Sequence, residues 1–205
     1  MAARVLTTPR KRPRQERSRD TVEALMIATA RVLIEVGYDH ASTNRIAETA
    51  GISIGSLYQY FPNKEALVAE LCKRQGEKEF QILFDQMEQV APLPLRRAIP
   101  ELIRAIISAH RVEPKLHKVL MEQVPRVGAL KNVRDLERRI GDLLRIQLEA
   151  RRRQIRPRHL EHAVFILMHA VEAVTHAAVL DNPEYLDSDK LVEELSDLVM
   201  RYLVP

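Results

Sequence analysis

The fold is decided by residues 41–67, which read ASTNRIAETAGISIGSLYQYFPNKEAL. Ser42 can cap a short helix, and Gly51 ends it, because a left-handed residue at a helix C-terminus is least costly without a Cβ. Ser53 can cap a second short helix that runs to Tyr60. Two short helices joined by a tight glycine turn form a helix-turn-helix, whose second helix can lie in the major groove of DNA.

The distribution of charge supports an interaction with DNA. Residues 1–64 hold ten Lys and Arg against six Asp and Glu, whereas residues 65–205 hold 22 of each sign. The whole formal excess therefore lies on the segment with the helix-turn-helix, as binding to phosphates requires. Residues 1–17 are predicted to form a flexible basic arm, which is either a solvated tail or an arm that adds contacts to DNA.

Composition indicates a globular, all-helical protein. Apolar residues make up 46% of the chain, and it has only six Gly and 4% aromatic residues. The single Cys rules out an internal disulfide framework, and no Cys/His spacing suits a zinc finger. No stretch approaches the roughly 20 apolar residues that span a bilayer, and no secretory signal is evident, so a cytoplasmic protein without membrane contact is expected.

The helix-turn-helix segment resembles a known family. Agreement at fixed spacing, without gaps, covers roughly residues 18–67 and is carried by Gly37-Tyr38, Thr43, Ile46-Ala47, Ala50-Gly51-Ile52-Ser53, Gly55-Ser56-Leu57-Tyr58, Tyr60-Phe61, Asn63-Lys64-Glu65 and Leu67. These positions resemble the DNA-binding domain of TetR/AcrR-type transcriptional regulators. The resemblance implies a helix-turn-helix domain over residues 18–64 and a helical ligand-binding and dimerisation domain over residues 65–205.

Helical periodicity continues beyond the resemblance. Besides the two helices of the helix-turn-helix, apolar spacing and turn residues predict helices over residues 20–36, 64–89, 95–111, 114–123, 132–154, 158–180 and 188–203. The expected architecture is all-α with about nine helices, the number usual in relatives of the family.

A first set of predicted site residues contacts DNA. It comprises Ser42, Thr43, Asn44, Ser53, Ile54, Gly55, Ser56, Tyr58, Gln59, Tyr60 and Lys64. In relatives, the position of Thr43 meets phosphate, those of Asn44, Ile54, Gly55, Ser56 and Gln59 face the major groove, and those of Tyr58, Tyr60 and Lys64 contact the backbone. Packing remains an equal alternative for Tyr58. No arginine lies on the recognition face, so specificity is expected from amides, van der Waals contact and DNA shape.

A second set is predicted to form a homodimer interface. It comprises Ala163, Ala170, Ala173, Ala177, Leu191, Leu195, Leu198 and Tyr202. Small residues permit close approach of helices, and the leucines form an apolar stripe. Dimerisation is favoured over a purely internal core because a helix-turn-helix usually binds twofold sites, and because relatives pair through their last two helices.

A third set is predicted to line the pocket of a small-molecule effector. It comprises Phe80, Phe84, Met87, Leu102, Ile106, His110, Leu120, Glu122, Phe165, Met168, His169, Glu172 and His176. The alternative is that these histidines lie at a dimer surface or on a solvated face. His162, His169 and His176 are seven residues apart, hence about 10 Å along a helix axis. Two of them cannot bind one metal, so a metal site needs a ligand from another helix.

The sequence thus predicts a homodimeric repressor that binds a palindromic operator in double-stranded DNA and is released by a small-molecule effector. No catalytic residue, metal or cofactor is predicted, because hydrolase, P-loop and dinucleotide-binding motifs are lacking. Two alternatives remain. One is a DNA-binding protein without a small ligand, and the other is an enzyme that uses the His and Glu residues.

Overall fold

The computed structural model describes residues 7–9, 16–111, 114–123 and 130–204, and this part of the chain is helical without a strand. It confirms the predicted all-α fold with nine α-helices: α1 (Glu16–His40), α2 (Thr43–Thr49), α3 (Ile54–Tyr60), α4 (Lys64–Val90), α5 (Leu95–Arg111), α6 (Pro114–Gln123), α7 (Leu130–Ala150), α8 (Leu160–Asp181) and α9 (Asp189–Leu203). Two 3₁₀ turns, Arg152–Gln154 and Pro183–Asp187, follow α7 and α8. Most of the predicted arm, residues 1–6 and 10–15, lies outside the described residues.

The ends of the first four helices follow from local chemistry. Ser42 and Ser53 each accept a hydrogen bond from the backbone N–H three residues on, at 3.2 and 3.1 Å. Asn63 does the same at the start of α4, at 2.8 Å. Gly51 has the left-handed φ of 66° that the turn after α2 requires, and Gly37, at φ 72° and ψ 173°, interrupts the helical run of α1. The predicted caps at Ser42 and Ser53 and the predicted helix end at Gly51 are confirmed.

The chain divides into two compact units, and the first holds the helix-turn-helix. It contains the chain up to residue 76 together with residues 115–133. Side chains that are at most 5% exposed fill its core, namely Leu25, Val32, Leu33, Ile46, Leu57, Phe61, Leu67, Val68, Leu116 and Leu120. Full burial of one such side chain contributes about 1.5–3 kcal/mol, so α2 and α3 are held by tertiary packing and not by their own short length.

Cys72 of α4 packs against the core of the first unit. Burial raises the pKa of its thiol to about 12, opposed in part by a backbone hydrogen bond. The thiol is therefore protonated at neutral pH and behaves as a small apolar side chain.

The second unit contains residues 77–114 and 134–205. Its core is organised by α5, which packs against both α8 and α9. Leu95, Ile99, Ile103 and Ile107 recur every fourth residue along α5 and are all buried. Buried residues of the neighbouring helices complete this core, among them Leu148, Val164, Leu167, Val192, Leu195 and Val199.

Candidate functional site

The helix α3 has a buried side and an exposed side. Leu57 is fully buried and Tyr60 is 8% exposed, so these two residues hold the helix on the core. Ile54, Gly55, Tyr58 and Gln59 are exposed on α3, and Ser56 is half-buried. The exposed side of this seven-residue helix carries an amide, hydroxyl groups, an isoleucine and the backbone at Gly55. Such a surface can lie against the edges of DNA bases.

The predicted DNA-contacting residues differ in exposure. Three residues outside α3 are also exposed, namely Ser42, Asn44 and Ser53. Two others are half-buried, namely Thr43 and Lys64. Tyr60 lies in the core of the first unit, where the structure gives its ring a packing role. The contacts of all these residues with DNA remain predictions.

Two pairs of hydroxyl groups order the turn between α2 and α3. The Thr43 Oγ1 and Tyr58 Oη atoms are 3.0 Å apart and share a hydrogen bond between the first residue of α2 and the exposed side of α3. The Ser53 and Ser56 hydroxyls are 2.9 Å apart. Thr43 and Tyr58 thus place two hydroxyl groups side by side, and both residue types commonly donate to phosphate oxygens.

Lys64 has a structural contact that the sequence did not predict. Its Nζ donates to the Tyr38 carbonyl oxygen at 2.8 Å and lies 4.2 Å from the centroid of the Tyr38 ring. The Tyr38 hydroxyl in turn donates to Glu65 Oε1 at 3.4 Å. Lys64 therefore joins the first turn of α4 to the end of α1. An ammonium group has three donors, so contact with a phosphate is compatible with this bond.

The predicted pocket residues differ in burial and are divided between the two units. Leu120 is buried in the first unit, and Glu122 is exposed on the same helix, α6. Within the second unit Met87 is buried, and Phe165 and His169 are exposed on α8. The remaining members are half-buried, namely Phe80, Phe84, Leu102, Ile106, His110, Met168, Glu172 and His176.

Two half-buried members of the second unit, Phe80 and Phe84, lie beside an exposed ion pair. The rings of Phe80 and Phe84 are stacked with centroids 6.1 Å apart. The Arg139 guanidinium carbon lies 3.8 Å above the Phe80 ring, and its Nη1 is 2.7 Å from Glu77 Oε1. This contact fastens α7 to α4.

Glu172 carries an unfavourable negative charge. Burial raises the pKa of its carboxyl, and the carboxylates of Glu137 and Glu79 raise it further, whereas His169 acts in the opposite direction. Three helices, α4, α7 and α8, thus bring carboxyl groups into one electrostatic neighbourhood.

The three histidines of α8 each have a different neighbour. The His162 ring meets the His159 ring at 5.8 Å between centroids, and the His169 ring meets Phe165 at 4.2 Å. The His176 ring meets His110 of α5 at 5.5 Å. The seven-residue repeat therefore does not create one continuous histidine site.

The predicted interface residues are divided between the core of the unit and its surface. Ala163 and Leu195 are buried in the protomer itself, while Ala170, Leu191 and Tyr202 are half-buried. Ala173, Ala177 and Leu198 are exposed. Two further apolar residues, Ile166 and Val174, are exposed on α8 and are not among the predicted interface residues. Phe165, which is predicted to line the pocket, is exposed on the same helix.

Against the expectation that no stretch of the chain could span a bilayer, α8 is long and apolar enough to cross a membrane by length and composition alone. A core helix of a soluble protein meets the same criterion. Val164, Leu167 and Val179 of α8 are buried in the core of the second unit, which accounts for part of its apolar character.

A short helix that is exposed on one side, begins at a serine cap and follows a tight glycine turn is the second helix of a helix-turn-helix motif. The family model for bacterial regulatory proteins of the tetR family matches residues 25–71, and that for the tetracyclin repressor-like C-terminal domain matches residues 94–203. The chain belongs to the TetR family of bacterial regulatory proteins.

Curated relatives match part of the chain. An uncharacterised HTH-type transcriptional regulator from Mycobacterium bovis is 30% identical over 117 residues, which are 54% of this chain and 56% of that protein. The regulator EthR from Mycolicibacterium smegmatis is 34% identical over 112 residues, 52% of this chain and 49% of that protein. The chain thus spans about half the length of the curated relatives it matches.

Solved structures match almost the whole chain. NalD, the secondary repressor of the MexAB-OprM multidrug efflux pump in Pseudomonas aeruginosa, has a TM-score of 0.71 at 21% identity, over 91% of this chain and 98% of that one. At this identity the similarity shows the fold alone.

Proposed function

We propose that this protein is a homodimeric, ligand-responsive repressor that binds a palindromic operator. The exposed side of α3, fixed by the Ser53 cap and by buried Leu57, is the observation that carries the proposal. Gln59 and Ser56, together with Asn44 of α2, would contact base edges, because amides and hydroxyls can both donate and accept there. Thr43, Tyr58 and Lys64 would contact phosphates and set the register of the helix on the duplex.

Dimerisation is supported by apolar side chains that the second unit leaves in solvent. Phe165 is 60% exposed and Leu198 is 54% exposed, on helices whose opposite sides are buried in the core. Burial of such side chains against a second copy is favourable. A dimer would present two copies of α3 to half-sites about 34–36 Å apart, which is one turn of DNA.

Release by an effector is proposed for the second unit. Its half-buried residues combine apolar side chains such as Phe84 and Ile106 with polar groups such as Glu172, the combination typical of ligand pockets. The repressor role is part of the proposal, and NalD, which shares the fold, is described as a repressor. Because its target would be chromosomal DNA, we place the protein in the cytoplasm.

The DNA-binding part of the proposal is tested by selecting operators from a random duplex library and measuring binding with Gln59→Ala. We expect the variant to lose about 1–3 kcal/mol of discrimination at one base pair in each half-site and to keep its affinity for unrelated DNA. Gln89→Ala is the matched control, because Gln89 is an exposed glutamine on α4, outside the helix-turn-helix. An equal loss of affinity for all sequences would remove Gln59 from the base-contacting set.

The ligand-dependent part is tested separately. Small molecules that raise the melting temperature are added to the complex of protein and selected operator, and we expect at least one of them to release the DNA. If every stabilising compound left the complex intact, control by a small ligand would be contradicted while DNA binding would stand.

A further inference from the structure

Two histidine rings from different helices meet in the second unit. His110 lies in the last turn of α5 and His176 lies on α8. Their ring centroids are 5.5 Å apart with an interplanar angle of 56°, and their ligating nitrogen atoms lie within 4.8 Å of each other. The repeat along α8 cannot supply two ligands to one metal ion, since seven residues rise about 10 Å. The packing of α5 against α8 supplies the second ligand instead.

The orientation of His110 suits a metal ligand. Its Nδ1 is 2.8 Å from the Ile106 carbonyl oxygen. Because a carbonyl oxygen can only accept, Nδ1 carries the proton in the neutral ring and Nε2 keeps the lone pair. A hydrogen bond from the second ring nitrogen to a backbone carbonyl is the arrangement that orients most metal-binding histidines.

The backbone on both sides of the pair is fixed by packing. Ile107, on the turn of α5 that carries His110, is 2% exposed, and Thr175, next to His176, is fully buried. The Thr175 hydroxyl also donates to the Val171 carbonyl oxygen at 2.8 Å. Little conformational freedom of the two helices is therefore lost when the rings bind one ion, which favours affinity.

A carboxyl group also lies on the same side of α8 as His176. Glu172 precedes His176 by four residues, the spacing at which side chains of a helix are neighbours. Arg111, which follows His110, is 3.5 Å from Asp187, so its positive charge is partly compensated.

We propose that His110 and His176 bind a divalent transition-metal ion such as Zn²⁺ or Ni²⁺, with Nε2 of His110 and a ring nitrogen of His176 as ligands. Imidazole suits these ions, whereas Mg²⁺ prefers oxygen ligands. The proposal concerns the second unit alone and does not depend on the proposed action at an operator.

The test is titration calorimetry on the full chain without an affinity tag, stripped of metal with a chelator and titrated with Zn²⁺, Ni²⁺ or Mg²⁺. We expect saturable binding of Zn²⁺ and Ni²⁺ and none of Mg²⁺. His110→Ala and His176→Ala should each weaken binding by about tenfold or more. His162→Ala is the matched control, because His162 lies on the same helix, is exposed, and should be dispensable. Wild-type affinity in the double variant of His110 and His176 would overturn the proposal.

A second measurement needs no variant and so does not depend on its folding. Paramagnetic Ni²⁺ added to the wild-type chain should broaden the imidazole proton resonances of His110 and His176 before that of His162. Preferential broadening of His162, or no selective broadening, would refute the site. Both experiments are done without DNA, so their failure leaves the proposed regulatory function untouched.

Discussion

Substitution of Lys64 by alanine separates two roles of one side chain. The change removes the 2.8 Å bond from the ammonium group to the Tyr38 carbonyl oxygen and the contact with the Tyr38 ring. A hydrogen bond from a charged donor contributes about 1.5–3 kcal/mol. Since Lys64 is only half-buried, the lower end of that range applies. A loss of about 1.5 kcal/mol corresponds to a melting temperature lower by about 3–6 °C in a chain of this size.

The same variant has a distinct effect on DNA binding if Lys64 also contacts phosphate. The slope of log affinity against log salt concentration should become less steep by about 0.9, the contribution of one phosphate contact. Fluorescence anisotropy with a selected operator, at several salt concentrations, measures this slope. Lys73→Ala is the control, because Lys73 is exposed on the same helix and should change neither quantity.

Each outcome for Lys64→Ala decides one role. An unchanged salt slope with a lower melting temperature would leave Lys64 as an anchor for α4 and remove it from the phosphate contacts. An unchanged melting temperature would refute the inference that the bond to Tyr38 stabilises the first unit.

Three further predictions concern the interface, the buried carboxyl and the paired hydroxyls. Leu198→Glu should give folded monomers in sedimentation, because Leu198 is 54% exposed. Leu195→Glu should instead unfold the protomer, because Leu195 is 4% exposed and a charge would be buried there. A dimeric Leu198→Glu variant would show that the interface lies elsewhere. The pKa of Glu172 is raised from its ordinary 4.5, so the folded state favours the neutral carboxyl. The stability that this carboxyl contributes is therefore complete below pH 4.5 and is lost as pH rises through its higher pKa in the folded state. Glu172→Gln should therefore melt above the wild type at pH 7, with the difference shrinking as pH falls toward 4.5, and a constant difference would contradict the assigned cause. Tyr58→Phe should weaken binding to all DNA sequences by about 0.5–1.5 kcal/mol with little change in melting temperature, and a change in base preference would place Tyr58 among the specificity residues.

The helix-turn-helix could be predicted from the sequence because its determinants are local. Ser42 and Ser53 bond to backbone groups three residues away, and Gly51 needs only its own left-handed backbone. The contact of Lys64 with Tyr38 joins residues 26 positions apart. It could not be deduced from spacing, although Tyr38 directly follows the glycine that ends the regular part of α1.

The second unit was predicted less completely, because apolar periodicity does not distinguish burial within a protomer from burial against a partner. Leu195 and Leu198 are both leucines of α9 in one predicted stripe, yet one is in the core and the other is in solvent. The same ambiguity affects Phe165, which is predicted to line a pocket and is exposed on α8, where its ring centroid lies 4.2 Å from that of His169. Only the three-dimensional packing of α5 against α8 and α9 resolves which side of each helix is covered.

The burial of Leu116 and Leu120 in the core of the first unit has a consequence for biosynthesis. The other helices of that core come from residues 16–76, so during translation the helix-turn-helix is made long before α6. Its core gains these two leucines only about 40 residues later, and a fragment cut at residue 64 would lack them altogether. We therefore expect a fragment that ends at residue 76 to melt at a lower temperature than the first unit does in the full chain.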